Sequence, residues 1–184
     1  SYHFFSPSKY SPTLRILVLQ HLESDHPGML RNCLYEYDIE WDAVLLGNGE
    51  EIPDLNAYDA MLVMGGPMNV WDVEKYPWLL QEKDTIRFWV EKLKRPFLGI
   101  CLGHQLLADA LGGKCATQNP PEIGIFEVQL TENGIKDPIF NGMEARQFCL
   151  QWHYVKVTKI PENTIVMASS KLCDVQAMKV GECA

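Results

Sequence analysis

The sequence predicts an α/β fold, with a mostly parallel sheet flanked by helices and an antiparallel, β-rich C-terminal part. Three observations predict it. Up to Gly113, short apolar runs of strand length alternate with stretches of helical spacing. That alternation makes βαβ units with parallel strands. After Gly113 the long helical stretches cease, and strand-like stretches follow one another across turns, the pattern of antiparallel pairing. Between the halves, Gly99-Ile100-Cys101-Leu102-Gly103 joins an apolar run to a helical one, as on the sharp strand-to-helix turn that presents a nucleophile in α/β hydrolases.

Residues 1–12 are rich in Ser, Pro and aromatics and lack periodicity. They have no basic start and apolar core of a signal peptide, and read as an extension or a remnant of cloning. The first buried strand is residues 15–20, followed by a polar loop that ends at Pro27-Gly28. Met29, Leu30, Cys33, Leu34 and Tyr37 have helical spacing. Residues 41–46 form the second strand, with Gly47-Asn48-Gly49 as its turn, and residues 58–64 the third. A long amphipathic helix over 77–93 carries Trp78, Leu79, Ile86, Trp89, Val90 and Leu93 on one side. Residues 97–100 are the fourth strand, and the helix after Cys101 stops at Gly112-Gly113. In the second half, residues 124–131, 147–152, 164–168 and 175–180 read as strands.

The length of 184 residues fits one domain, residues 13–184, with a core of its own. A net charge of −8 argues against a nucleic-acid surface, and no apolar run is long enough to span a bilayer. The six cysteines (33, 101, 115, 149, 173, 183) form no CxxC pair. That points to a reducing compartment, the cytoplasm, and away from zinc. There is no P-loop, no G-x-G-x-x-G after a strand and no metal-ligand spacing, so no cofactor is expected.

Cys101 is the candidate nucleophile. Side chains at Gly99 and Gly103 would crowd the turn, and the helix that follows directs its positive end at the sulfur, favouring thiolate. The Leu102 N–H is placed to receive an oxyanion. A second glycine turn, Gly65-Gly66-Pro67, follows the third strand. Ligands of open α/β sheets bind beyond the carboxyl ends of strands, so Gly66 is read as the second oxyanion donor. Each feature also has a plainer reading, a buried structural cysteine and an ordinary turn; their pairing favours function.

In these residues the chain resembles the class I (triad) glutamine amidotransferases, and within them the GMP synthase-like set. The resemblance rests on Gly65-Gly66-Pro67, Gly99-Ile100-Cys101-Leu102-Gly103-His104-Gln105, Pro121-Glu122-Ile123-Gly124 and Gln151-Trp152-His153, in family order. It implies a flavodoxin-like domain that hydrolyses glutamine through a γ-glutamyl thioester on the cysteine. It also implies that Gln105, the Ile123-Gly124 backbone and His153 belong to the glutamine pocket. An ammonia-accepting enzyme or acceptor substrate is the implied partner.

The sequence departs from that family in one respect. The Gly-x-Gln-(Phe/Tyr)-His-x-Glu segment that supplies the triad His and Glu has no counterpart here. His104 reads as a helix residue bonded locally, His3, His21 and His26 as solvent-facing, and Glu122 as a loop carboxylate. None is expected to be the general base. Gly181-Glu182 looks like a hairpin turn that opens a return strand, so the native protein is expected to continue into a strand that carries the missing pair. Tyr154 directly follows His153 where the family has Gly and Asp, so the pocket differs there or a loop is missing. Three functions follow: a stand-alone glutamine-hydrolysing enzyme, a triad-deficient regulatory or interaction domain, and a hydrolase of γ-glutamyl amides or peptides.

Overall fold

The computed structural model describes residues 13–184; the expected N-terminal extension and His3 lie outside them. The first half runs β1 (Arg15–Gln20), α1 (Leu30–Glu36), β2 (Glu40–Leu45), β3 (Ala60–Val63), α2 (Trp78–Phe88), β4 (Phe97–Gly99) and α3 (Leu102–Ala110). Its strands form one parallel sheet in the order β2-β1-β3-β4. In the register, Leu19 lies opposite Val63, and Val63 opposite Gly99. The carboxyl ends of β1, β3 and β4 are therefore level with one another.

Alternation along the strands sorts the core. Leu17, Leu19, Met61 and Val63 point to the side covered by α2 and α3, where Leu79, Ile86, Trp89 and Leu106 complete the main cluster. Val18, Leu62 and Met64 make a smaller cluster on the opposite face. The predicted helix 77–93 is α2 continued by a π-helical turn, Trp89–Leu93. Trp89 is wholly buried there, and its indole N–H bonds the Arg95 and Pro96 carbonyls. α1 forms where its spacing predicts, but it buries none of its residues. Met29 is 85% and Tyr37 76% exposed, so that spacing marks a helix without marking a buried face.

The second half is an antiparallel sheet of β5 (Lys114–Leu130), β6 (Arg146–Lys159), β7 (Thr164–Ser170) and β8 (Ala177–Val180), in the order β6-β5-β7-β8, with α4 (Glu132–Lys136) beyond β5. β5 and β6 are longer than their apolar alternation predicts. β5 runs through Pro120 and Pro121 at a register shift between Thr117 and Glu122, where an irregularity in the ladder tolerates residues that cannot donate. β6 crosses His153–Tyr154 without a break, so no loop intervenes there and the pocket has a different wall. The two halves share a core through Val180 and Met178, which pack on the main cluster, and through Ala108, Val157 and Val175. After β8 the chain returns to the parallel sheet, where the Phe97 N–H bonds the Cys183 carbonyl at 2.8 Å. No helix among the described residues is long and apolar enough to cross a membrane.

Candidate active site

Cys101 sits between β4 and α3 with φ 56° and ψ −108°. A side-chain-bearing residue held at positive φ stores about 1–3 kcal/mol of strain, and close packing on both sides holds it here. A Cβ on Gly103 would lie 2.1 Å from the Val63 carbonyl oxygen, and one on Gly99 would lie 2.5 Å from the Gly103 carbonyl. Both glycines are required by contact, since α3 starts hard against β3 and β4. Hydrogen bonds from the Gly103 N–H to the Ile100 carbonyl (3.0 Å) and from the Gln105 N–H to the Cys101 carbonyl (3.1 Å) close the turn.

Cys101 is exposed and opens on a cavity of about 670 Å³ between β4, α3 and the antiparallel sheet. The expected thiolate does not follow from this geometry. The surrounding protein withdraws water from the sulfur and pushes the thiol above its ordinary range. The Leu102 N–H hydrogen bond opposes this without cancelling it, and Asp25 adds to the rise. No cation offsets these effects, so the thiol needs a base. Cys115, by contrast, is pushed up by burial to about 12.

The Gly65-Gly66 turn meets the elbow. A Cβ on Gly65 would lie 3.5 Å from the Cys101 Cβ, and one on Gly66 would lie 3.1 Å from the Leu102 side chain. The Gly66 N–H has no acceptor among the described residues. Behind this turn is a residue that the sequence alone misplaces. His21, expected to face solvent, is 1% exposed. Its Nδ1 lies 2.9 Å from the Gly65 carbonyl oxygen and its Nε2 2.6 Å from Glu82 Oε1, and Trp78 stacks on the ring at 5.5 Å. Burial opposes its protonation, but the Glu82 hydrogen bond and charge outweigh it, so His21 titrates above the ordinary imidazole range. A signal for this pair was present: Glu82 occupies the buried stripe of α2 between Leu79 and Ile86, where a carboxylate needs a partner.

Of the expected pocket residues, Gln105 and His153 line the cavity with Cys101, whereas Ile123 and Gly124 lie outside its lining, paired with Trp152 and Gln151. Gln105 is buried and donates to the Val155 carbonyl at 3.2 Å. Glu122, expected in a loop, is a wholly buried residue of β5. It accepts from Ser170 Oγ at 2.5 Å and Gln176 Nε2 at 2.7 Å, and meets His153 Nε2 at 3.2 Å. The other ring nitrogen of His153 bonds the Val155 carbonyl. His104 is held by burial at about 4, and its ring bonds Val175. Among the described residues no histidine hydrogen-bonds the Cys101 sulfur. None of them cluster in a way that would hold a metal ion.

The family model for "Glutamine amidotransferase class-I" matches residues 26–181. The chain is 40% identical over 91 residues to the glutamine-hydrolyzing subunit of GMP synthase from Methanothermobacter thermautotrophicus, covering 50% of this chain and 47% of that protein. To the protein of the same name from Sulfolobus acidocaldarius it is 32% identical over 140 residues, 74% of this chain and 68% of that one. It is 27% identical over 146 residues to gamma-glutamyl peptidase 4 of Arabidopsis thaliana, covering 77% of this chain and 57% of that protein. The chain thus spans about half to two thirds of the length of these relatives. The crystal structure of a glutamine amidotransferase from Thermotoga maritima superposes with a TM-score of 0.85 at 29% identity, covering 93% of this chain and 73% of that one.

Proposed function

Because the chain belongs to the glutamine amidotransferase class-I family, we propose that it releases ammonia from the side-chain amide of glutamine through Cys101. The observation that carries this reading is the meeting of two strand ends. A thiol on a strained turn accepts the Leu102 N–H, and an unpaired Gly66 N–H lies one loop away. In this reaction the sulfur adds to the amide carbon, and the carbonyl electron pair moves to oxygen, where the Gly66 and Leu102 N–H groups receive it. Collapse of the adduct breaks the C–N bond, and ammonia departs with the proton that the thiol gave up. Water then splits the γ-glutamyl thioester, giving glutamate and restoring the thiol.

The raised Cys101 thiol needs a proton acceptor, and each of the four described histidines is bonded elsewhere. We place the acceptor outside residues 13–184, at the edge of β4 that Cys183 begins to cover. Residues 13–184 then form one amidotransferase domain that carries the nucleophile and both oxyanion donors. Gln105 and His153 supply one wall of the substrate pocket, with the backbone of Ile123 and Gly124 behind it. Relatives named as subunits of GMP synthase point to a separate partner protein that accepts the ammonia. Two other readings have their own support. Similarity to a γ-glutamyl peptidase and the Tyr154 departure favour γ-glutamyl peptides as substrates. The sulfur without a described histidine partner favours a non-catalytic domain.

Release of ammonia or amine by the native full-length protein, beside Cys101→Ala, tests these readings. Turnover of glutamine that is lost in Cys101→Ala is the expected result. Cys101-dependent turnover of γ-glutamyl dipeptides alone would move the assignment to the peptidase reading. Turnover of neither would leave the non-catalytic one.

A further inference from the structure

His21 and Glu82 lie apart from the cavity, yet they bear on the Gly65-Gly66 turn more directly than any other side chains. The Gly65 carbonyl oxygen only accepts, so His21 Nδ1 must carry a proton toward it. Nε2 faces a carboxylate oxygen at 2.6 Å, which calls for a second ring proton. The ring is therefore an imidazolium that donates at both ends, in keeping with its raised titration. Glu82 is wholly buried, and its Oε2 has no hydrogen-bond partner, so the carboxylate depends on His21.

The geometry links this pair to the reaction. The Gly65 carbonyl and the Gly66 N–H belong to one peptide unit, and a trans peptide holds them rigidly antiparallel. Whatever pins the oxygen aims the hydrogen. A Gly-Gly-Pro turn has little intrinsic stiffness at its glycines, and the Gly66 N–H has no acceptor of its own to orient it. We propose that the His21–Glu82 pair is a positioning clamp that holds the Gly65 carbonyl away from Cys101 and so aims the Gly66 N–H at the oxyanion. The ring plane is fixed in turn by Trp78 stacked on it at 18°. This role rests on the reading of Cys101 as the nucleophile toward γ-glutamyl amides.

The test compares His21→Leu, which removes both donors, with His21→Asn, whose side-chain amide keeps a donor near the Nδ1 position. Hydrolysis of L-γ-glutamyl-p-nitroanilide by the full-length protein gives kcat and KM, and hydrogen exchange of the Gly66 amide is followed by NMR. Removal of an oxyanion donor lowers kcat by roughly 10²–10³, and misdirection of one is expected to cost about tenfold to a hundredfold. His21→Leu should show that loss with KM within about twofold, faster Gly66 exchange, and partial recovery of both in His21→Asn. An unchanged kcat, or a loss in which Asn recovers nothing, overturns the clamp.

Should His21→Leu not fold, Glu82→Gln takes its place. Glu82 on α2 and Asp25 in the loop after β1 are the charged groups that act on His21. Without the Glu82 charge, activity should fall as pH rises and recover toward low pH, where the ring is protonated unaided; a pH profile like that of the wild type overturns the proposal. If hydrolysis is the same in Cys101→Ala as in wild type, the nucleophile reading fails, and Gly66 exchange alone then decides the clamp. Exchange that is unchanged in His21→Leu refutes it.

Discussion

Replacing Gly103 with Ala tests whether contact rather than backbone freedom dictates the elbow glycines. The added methyl would stand 2.1 Å from the Val63 carbonyl oxygen and 3.1 Å from the Val63 Cβ. Neither neighbour is a flexible side-chain end: Val63 is the last residue of β3, and its carbonyl already accepts the Ile100 N–H at 2.9 Å. To reach the roughly 3.0 Å floor of real Cβ contacts, the start of α3 must move by about 0.9 Å. Forced overpacking of this kind costs about 1–3 kcal/mol. The same shift carries Cys101 and the Leu102 N–H away from the Gly66 turn, and misplacement by about 1 Å lowers a rate by roughly 10²-fold. Urea denaturation followed by far-UV circular dichroism reads the first effect, and turnover of L-γ-glutamyl-p-nitroanilide reads the second. Gly112→Ala is the control. Its Cβ would enter open space, but φ is +89°, so it should cost about 1–2 kcal/mol of left-handed strain and leave Cys101 chemistry intact. Gly103→Ala with stability within about 0.5 kcal/mol of wild type and unchanged turnover would refute the packing account.

Three further perturbations follow from the buried groups. Because His21 titrates higher in the folded protein than its ordinary 6.5, its stabilisation is complete below that value and is lost as pH rises through the folded one. Urea midpoints should therefore fall on the alkaline side of neutrality, and His21→Leu should flatten that slope. Glu122→Ala strands the Ser170, Gln176 and His153 side chains; a loss of about 3 kcal/mol or more is expected in the same denaturation assay. Trp89→Ala empties the wholly buried end of α2 and should cost about 3–5 kcal/mol, read as a fall in the thermal midpoint.

The parallel half was legible because its signals are local. Each strand is an apolar run between turn residues, and Gly-x-Cys-x-Gly needs only its own neighbours to fold as it does. The antiparallel half was legible in kind but not in extent. β5 extends from Lys114 across two prolines, and much of β6 faces outward, with Phe148 at 74% and Leu150 at 75% exposure, so alternation toward a core does not mark where those strands begin. Glu122 read as a loop residue because Pro120 and Pro121 stand directly before it, whereas the register shift lets the strand absorb them.

His21 was illegible for a different physical reason. Its neighbours in sequence are polar, and what buries it comes from elsewhere: Glu82 and Trp78 at the start of α2, and the Gly65 carbonyl after β3. The parallel order β2-β1-β3 places the end of β1 beside the end of β3, and only that adjacency turns a loop histidine into a buried donor. The same adjacency, one strand further, sets the Gly65-Gly66 turn against Cys101. A chain with two glycine turns and a cysteine thus acquires a site through strand order. The side chain that aims one of its donors belongs to the strand whose sequence carries no catalytic motif at all.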